Sequence, residues 1–502
     1  MGLTDRKASG LSGLNGLDIL PHSVVSAGDV EAGLADSGQR VAVLAPAGSR
    51  VIPNFTGESS DIGGRTLLLG PASAANLDAL RGFIPWLRPR PLGTGTSAGF
   101  GDRLGLATPG HIRALRAAGG GIAPIFAQQS IRKMERTGRS PQQVLDDATW
   151  GVLAEGWQDG FGADADHLKN TDDVDACVRA GYTFFTFDPG SYVYDTAEAA
   201  DDSTLRASFE NLPWQDLEDL PADLERRYLG STLDAEGHEL GFNDLSLARA
   251  AVKYGAAVAH VTRLYRHLLA AMGDRAFEVE VSVDETENPT PHAQHVYIAM
   301  ELQRLGVKWV SMAPRYVGRF EKGVDYIGDL AKFEEDIEVH AAIARTVSPD
   351  GPYKLSLHSG SDKFAIYPAF IRKARGLAHL KTAGTSYLEA LRTVAAIDPD
   401  LFREIYAFSC DRYEEDRASN HVSARTDRAP ESATVDDAGL PALLDQFDAR
   451  QILHVTFGSV LREKILHDRL LGLLREHPEP YAADLEGHFM RHLEPFAYGG
   501  IS

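Results

Sequence analysis

The stretch Phe277-Glu-Val-Glu-Val-Ser-Val-Asp284 decides how this chain of 502 residues is interpreted. It alternates with a period of two, so its three valines share one face of a strand and Glu278, Glu280, Ser282 and Asp284 share the other. In a barrel strand the valines would pack against helices. The acids would then point inward, where a carboxylate needs a partner, a proton or a metal ion. In an exposed antiparallel sheet the same acids would face water.

Seven further apolar or alternating runs favour the barrel over the exposed sheet. Helical patterns lie between most of them, for example from Pro291 to Gln303 and from Leu330 to Thr346. Strands that alternate with helices indicate a parallel sheet, and eight such units indicate an α/β fold with a closed (β/α)8 barrel of TIM type. The seven runs are Leu104–Thr108, Ile122–Phe126, Gly162–Leu168, Tyr182–Phe187, Lys308–Ala313, Tyr353–His358 and His379–Thr382.

A doubly wound parallel sheet is the alternative architecture. Its usual ligand is a nucleotide, and its glycine-rich turn must follow a strand and open a helix. The stretch Gly93-Thr-Gly-Thr-Ser-Ala-Gly99 instead runs into a strand-like segment, and no Gly-Lys-Ser/Thr sequence occurs. The sequence therefore favours the barrel.

Composition shifts predict three parts of the chain. Residues 1–91 form an N-terminal subdomain that ends in a proline cluster, residues 92–460 form the barrel, and residues 461–502 form a C-terminal helical segment. A long insertion, at about 190–276, follows the fourth strand; it is acidic and irregular at first and then helical from Leu245 to Met272. Such an insertion usually covers the active-site face of a barrel.

The charge balance excludes several classes of partner. Lys and Arg total 50 against 71 Asp and Glu, a formal net charge of −21, which disfavours binding to nucleic acid or to an anionic membrane. Two cysteines, Cys177 and Cys410, are too few for a disulfide framework and are expected to be free thiols in a reducing compartment. With neither a signal-like start nor a membrane-length apolar run, the sequence predicts a cytoplasmic protein that acts on small molecules. It leaves a homo-oligomer open.

Polar residues concentrate where the runs end, which is where barrel active sites lie. His167, His295 and His358 are the candidate metal ligands, since imidazole and carboxylate groups together suit divalent Zn, Mn, Co or Ni. For each histidine taken alone, a structural hydrogen-bonded role is equally open. Asp166 is a candidate catalytic base beside His167. Glu280 is a second candidate acid or base, and Asp284 is its rival or a further metal ligand.

Four cations are candidates for binding an anionic substrate group: Arg315, Lys322, Lys363 and Lys381. Ser359 and Asp362, in the same loop as Lys363, are predicted to contact the substrate as well. Lys363 and Lys381 would alternatively suit a Schiff base with a carbonyl substrate. Anion binding is favoured because the acids and histidines already supply groups for proton transfer.

Four separated motifs also follow one another along the chain. They are Val281-Ser-Val-Asp-Glu-Thr286 with a histidine at 295, Ala313-Pro-Arg315 leading to Lys322-Gly-Val-Asp-Tyr-Ile-Gly328, His358-Ser-Gly-Ser-Asp-Lys-Phe364, and Lys381-Thr-Ala-Gly-Thr385. Together they resemble the bacterial tagaturonate epimerase family, over about residues 101–458. The resemblance implies a barrel, a divalent metal ion, and interconversion of D-tagaturonate and D-fructuronate in hexuronate catabolism.

The reaction that the resemblance implies makes specific chemical demands. Counted from the carboxylate, the ketone is carbon 5 and the inverted centre is carbon 3, which simple enolisation cannot acidify. A retro-aldol break between carbons 3 and 4, rotation of the aldehyde and bond re-formation would invert it. This route needs a metal ion, a base, a second acid or base, and cations for the carboxylate. Two alternatives stay open: a class II-like metal-dependent aldolase that releases its fragments, and a non-catalytic barrel that binds sugar acids.

Overall fold

The computed structural model describes residues 10–14, 16–382, 384–419 and 422–497, and its N-terminal part is a five-stranded antiparallel sheet. The central strand is buried on both faces: Val41 and Val43 belong to the main core, whereas Ala42 and Leu44 pack in a smaller cluster with Leu11. The strands are β1 (Val25–Ala27), β2 (Val30–Ala35), β3 (Arg40–Pro46), β4 (Glu58–Ile62) and β5 (Arg65–Pro71), in the spatial order β1-β2-β3-β5-β4.

Eight parallel strands then close into a barrel, which confirms the predicted (β/α)8 fold. The remaining strands are β6 (Ser97–Gly101), β7 (Ala123–Ser130), β8 (Gly162–Leu168), β9 (Phe184–Phe187), β10 (Thr232–Ala235), β11 (His238–Gly241), β12 (Glu278–Ser282), β13 (Ser311–Ala313), β14 (Lys354–Leu357) and β15 (Ala378–Thr382). All except the β10–β11 hairpin belong to the barrel, in the order β12-β13-β14-β15-β6-β7-β8-β9.

Helices cover the outside of the barrel and follow the predicted alternation. Those up to the insertion are α1 (Ala74–Phe83), α2 (Thr108–Ala118), α3 (Ile131–Thr137), α4 (Pro141–Ala154) and α5 (Thr171–Ala180). The insertion contains α6 (Asp202–Glu210), α7 (Pro221–Tyr228) and α8 (Asp244–Met272). The later helices are α9 (His292–Arg304), α10 (Leu330–Thr346), α11 (Tyr367–Ala374), α12 (Thr385–Ile397), α13 (Pro399–Asp416), α14 (Phe447–Val455), α15 (Phe457–Arg462), α16 (Lys464–Glu476) and α17 (Pro478–Leu493).

The prediction of the first barrel strand at residues 104–108 is wrong. The first barrel strand is β6, and residues 104–107 form a loop before α2. The loop folds around the carboxylate of Asp102, which accepts backbone N–H bonds from Leu104 at 2.9 Å and from Gly105 and Ala107 at 2.8 Å. A side chain that satisfies three amides competes with strand pairing, and apolar periodicity does not reveal this competition.

The insertion lies between β9 and β12, after the fourth barrel strand as expected. Its helix α8 matches the predicted helical stretch, whereas the part expected to be irregular contains α6, α7 and a hairpin. The insertion also contacts a loop of the barrel mouth: Asp195 accepts a hydrogen bond from the backbone of Glu287 at 2.9 Å. Buried Lys253 of α8 holds Asp195 at 3.1 Å and Glu198 at 3.0 Å.

The last helix, α17, packs closely against α2. A Cβ at Gly110 would lie 2.5 Å from Cβ of Leu485, so the close approach of the two helices requires a glycine at this position. None of the described helices combines the length and the apolar composition needed to cross a membrane. The division of the chain at residues 91/92 and 460/461 stays a prediction.

Candidate active site

The carboxyl ends of the barrel strands open into a polar cavity of about 520 Å³. Its position is the one at which TIM-type barrels carry their active sites. Eight of the twelve site residues predicted from the sequence line this cavity, and four do not. The eight are Asp166, His167, Asp284, Arg315, Lys322, His358, Ser359 and Lys381.

Three of these residues form a group that is able to hold a metal ion. His167 lies near the end of β8, Asp284 follows β12 and His358 follows β14, and one ligand atom from each lies within 4.8 Å of the other two. Asp284 Oδ1 is 3.6 Å from His167 Nε2 and 3.1 Å from His358 Nδ1. Two imidazole nitrogens and a carboxylate oxygen are a donor set that first-row divalent metals accept.

A second carboxylate stands behind each of the two imidazole rings. His167 Nδ1 lies 2.7 Å from Asp166 Oδ1, and His358 Nε2 lies 2.6 Å from Glu280 Oε1. Each ring therefore presents one nitrogen to Asp284 and the other to a supporting acid. Metal-binding histidines are oriented in this way, because the acid fixes the tautomer and the ring position.

Lys381 lies at the centre of the acids below this group. Its Nζ is 2.8 Å from a carboxylate oxygen of each of Asp164, Asp166 and Glu280, and all four side chains are buried. Burial alone would lower the pKa of Lys381, but the three carboxylates raise it well above its usual value. The side chain stays an ammonium ion, which argues against the Schiff-base alternative for this residue.

Glu280 lies one layer below the cavity and does not line it, and its role as an acid or base stays a prediction. Its carboxylate is engaged by His358, by Lys381 and by the Ser311 hydroxyl, which donates at 2.6 Å. Strand alternation correctly gave its inward direction but not its depth.

The structure does not bring His295 to the other two candidate histidines, and its role as a third ligand stays a prediction. It lies in the first turn of α9, fully buried. Its Nδ1 is 2.9 Å from His340 Nδ1 on α10, and its Nε2 is 2.8 Å from the Tyr353 hydroxyl. Burial lowers the pKa of His295 to about 3, so the ring is a neutral hydrogen-bonding group between helices.

Asp362 and Lys363 also do not line the cavity, and their contacts with substrate stay predictions. The ammonium of Lys363 is buried and donates to the backbone carbonyls of Glu321 at 2.9 Å and Val324. Asp362 forms a buried ion pair with Arg450 at 2.8 Å. Both side chains therefore fasten the loop after β14 to its surroundings.

Sequence reasoning missed a cationic and polar patch at the end of β7. The run was expected to end at Phe126, but the strand continues to Ser130, so the residues that follow were not recognised as strand-end residues. Four of them line the cavity: Gln128, Ser130, Arg132 and Lys133. At the opposite rim, Lys322 donates to the Ser359 hydroxyl at 2.9 Å, and the Arg315 guanidinium is held by two backbone carbonyls at 3.1 Å.

Comparisons with known proteins point to one family. A family model described as tagaturonate epimerase matches residues 39–496. The tagaturonate/fructuronate epimerase of Thermotoga maritima is 45% identical over 419 residues, which is 84% of each chain. The native crystal structure of the fructuronate-tagaturonate epimerase from Cohnella laeviribosi superposes with a TM-score of 0.88 at 34% identity, covering 96% of this chain and 97% of that one. A glycerol complex of that enzyme has the same TM-score and identity and covers 96% of both chains.

Replacing Asp362 with Ala tests whether this residue is structural. The variant leaves the buried Arg450 without its closest carboxylate, so we expect a loss of about 3–5 kcal/mol in stability, seen as a lower Tm in calorimetry. The KM for substrate should not change. A variant that keeps the wild-type Tm but has a raised KM would instead support a substrate-binding role for Asp362.

Proposed function

The chain belongs to the tagaturonate epimerase family, and we propose that its barrel interconverts D-tagaturonate and D-fructuronate with a divalent metal ion held by His167, Asp284 and His358. It is an isomerase by family membership. The observation that carries the metal proposal is the pair of acid-backed imidazoles that meet at Asp284. This donor set fits a first-row divalent cation.

The charge of the barrel interior supports the same proposal. Three buried carboxylates, those of Asp164, Asp166 and Glu280, surround the ammonium of Lys381, and a fourth, that of Asp284, lies beside the two imidazoles. Lys381 offsets one of these four negative charges. Burial alone would lower the pKa of His167 and His358, but the neighbouring carboxylates raise both above the usual value, so protons on the two imidazoles would offset two more charges. A bound dication would take the place of those two protons, because buried carboxylates need a compensating positive charge. When bound, the ion would supply positive charge to the ketone end of the substrate as negative charge develops there.

We assign the first proton transfer to Asp166. Its Oδ1 is bonded to His167 and Lys381, and its Oδ2 is the atom proposed to take the proton from the hydroxyl on carbon 3. As that proton leaves, carbon 3 becomes an aldehyde. The bond to carbon 4 breaks, and its electron pair moves onto the ketone-bearing fragment. The aldehyde turns, and carbon 4 attacks its other face.

We assign the return of the proton to Lys133. This lysine lines the cavity directly after β7, and the new alkoxide on carbon 3 takes a proton from its ammonium group. Burial lowers the pKa of Lys133 to about 7, so the group is able to exchange its proton with solvent near neutrality. Asp166 gains one proton and Lys133 loses one in each turnover, and solvent restores both.

We assign the substrate carboxylate to Arg315 and Lys322 at the cavity rim. Arg315 is held in place by its own loop, and Lys322 by Ser359, so both cations are positioned before the substrate arrives. Arg132, also at the rim, is paired with Glu285 at 3.1 Å. Preorganised cations bind a carboxylate more strongly than mobile ones, because less side-chain entropy is lost.

We place the reaction in the cytoplasm. Cys177 and Cys410 are both free thiols, as expected for a reducing compartment.

Metal removal with product analysis tests the function. Purified protein treated with a chelator should lose turnover of D-tagaturonate, and Zn, Mn, Co or Ni added singly should restore it for at least one ion. Chromatography should show D-fructuronate as the product. Accumulation of three-carbon fragments would indicate the aldolase alternative. Full activity in protein shown to be metal-free would contradict the metal proposal, and tight binding without conversion would indicate a non-catalytic barrel.

Two substitutions separate a ligand from its supporting acid. His358→Ala removes a ligand, so bound metal and activity should both be lost. Glu280→Gln leaves the ligands in place but weakens the orientation of the His358 ring, so metal affinity should fall by about 10- to 100-fold and excess metal should recover most of the activity. Metal content is measured by atomic emission. Equal metal affinity in Glu280→Gln and wild type would refute the supporting role.

Deprotonation of Lys133 is expected to set the alkaline limb of the profile of kcat/KM against pH. The lysine donates a proton only when charged, so kcat/KM should fall about tenfold per pH unit as the pH rises through about 7. The groups that face it are Asp166, Lys322, Arg103 and Arg132. Lys133→Met should lower kcat and flatten this limb, while Lys464→Met, at an exposed position, should leave the profile unchanged. An unaltered limb in Lys133→Met would assign it to another group.

A further inference from the structure

Strand β7 carries an irregularity that directs its last residues into the cavity. Its pairing register with β8 shifts ahead of Gln128, and bulges of this kind re-aim side chains beside active sites. After the shift, Gln128 is paired with Asp164 and Ser130 with Asp166. Gln128 and Ser130 therefore line the cavity next to the acids that surround Lys381.

The side chains of Gln128 and Ser130 are buried without hydrogen-bond partners. Gln128 is 2% exposed, and within the described part of the chain neither its Oε1 nor its Nε2 has a partner. Ser130 is 3% exposed and stands at the N-cap of α3, where a serine hydroxyl usually accepts a helix N–H; here its Oγ makes no such bond. Buried polar groups are nearly always satisfied in native proteins, so these atoms need an explanation.

The neighbouring strand makes room for the Gln128 amide. A Cβ at Gly99 of β6 would lie 1.7 Å from Gln128 Oε1, so a glycine is required for the amide to lie where it does. Gly99 therefore leaves space for a polar group that has no hydrogen-bond partner among the described residues.

We infer that Gln128 and Ser130 form a neutral subsite that binds hydroxyl groups of the sugar-acid substrate. The amide offers one acceptor and two donor hydrogens, and the hydroxyl offers both functions, which together match a polyol chain. The subsite carries no charge of its own, whereas Arg315 and Lys322 at the rim suit the carboxylate. This inference rests on the proposed function for the identity of the substrate.

Gln128→Met tests the subsite because the inference predicts a lower kcat/KM without a lower Tm. Methionine fills a similar volume without hydrogen bonding, so kcat/KM for D-tagaturonate should fall about 10- to 100-fold. The Tm should stay equal or rise, because an unbonded buried amide is replaced by an apolar group. A Tm that falls together with activity would show a structural role and overturn the inference, as would wild-type kcat/KM.

Gln129→Met is the matched control. Gln129 is the next residue, is equally buried at 2% exposure and does not line the cavity, so its kcat/KM should match the wild type. Gly99→Ala, on the neighbouring strand β6, perturbs the same Gln128 amide. Because the new Cβ displaces the Gln128 side chain, this variant should reproduce the loss seen in Gln128→Met. Wild-type activity in Gly99→Ala would count against the inference.

Substrate analogues identify the hydrogen bond directly. Hexuronates that lack the hydroxyl at carbon 2, 4 or 6 are compared in wild type and Gln128→Met. On the analogue that lacks the hydroxyl bound by Gln128, wild type and Gln128→Met should have the same kcat/KM. The amide of Gln128 favours a substrate only when the hydroxyl that it binds is present. An equal penalty on every analogue would overturn the inference.

A binding experiment separates this inference from the proposed function. Calorimetry compares D-gluconate, a polyhydroxy acid, with hexanoate, which has a carboxylate and no hydroxyl. Wild type should prefer D-gluconate, and Gln128→Met should lose that preference without weaker binding of hexanoate. This result supports the subsite even if D-tagaturonate is not converted, whereas a retained preference overturns the subsite even if it is converted.

Discussion

The ammonium of Lys381, enclosed by three carboxylates, is the interaction on which the active site depends. Most barrels of this type fill their interior with branched apolar side chains. Here Asp164, Asp166 and Glu280 converge on one cation instead, each at 2.8 Å. Removing one partner of such a buried cluster costs several kcal/mol, because the remaining charges have no water to solvate them. Two of these acids also hold the rings of His167 and His358. The charge that stabilises the barrel interior therefore also sets the orientation of the proposed metal ligands above it.

Elements outside the eight βα units brace the loops of the cavity from two sides. The insertion reaches the loop after β12 through Asp195, whose carboxylate binds the backbone of Glu287. The C-terminal helices reach the loop after β14, where Arg450 of α14 pairs with Asp362 and His492 of α17 accepts its backbone N–H at 2.9 Å. Loops at the mouth of a barrel are otherwise its most mobile parts, and catalytic groups need fixed positions. These contacts therefore fasten two loops of the barrel mouth to the insertion and to the C-terminal helices.

Hydrophobic periodicity predicted the barrel and the direction of its strand-end side chains, but not their depth or their surroundings. Alternation placed Glu280 and Asp284 on one face, yet the two are four residues apart, which along a strand changes the level by about 13 Å, enough to move a carboxylate from the cavity to the layer below. His295 follows the acidic motif closely in sequence, but α9 begins three residues before it, and its helical position directs the ring to α10. Gln128 was missed because β7 continues to Ser130, past the end of its apolar run. Each of these features depends on tertiary packing, and the sequence pattern of a single segment carries no information about that packing.

The proposed retro-aldol route asks the cavity to favour inversion over release of the fragments. An aldolase needs only to bind the intact chain and to let one fragment leave. An epimerase that breaks the bond between carbons 3 and 4 must hold both fragments until the bond re-forms, so binding has to be divided between them. The cations Arg315 and Lys322 suit the carboxylate fragment, and the cluster at Asp284 suits the ketone fragment. In the proposed route the aldehyde carbon would turn between these anchors by rotation about a single bond, with both fragments keeping their contacts. Separate anchors at the two ends of the substrate are therefore the physical requirement for inversion, and the barrel mouth provides them on different strands.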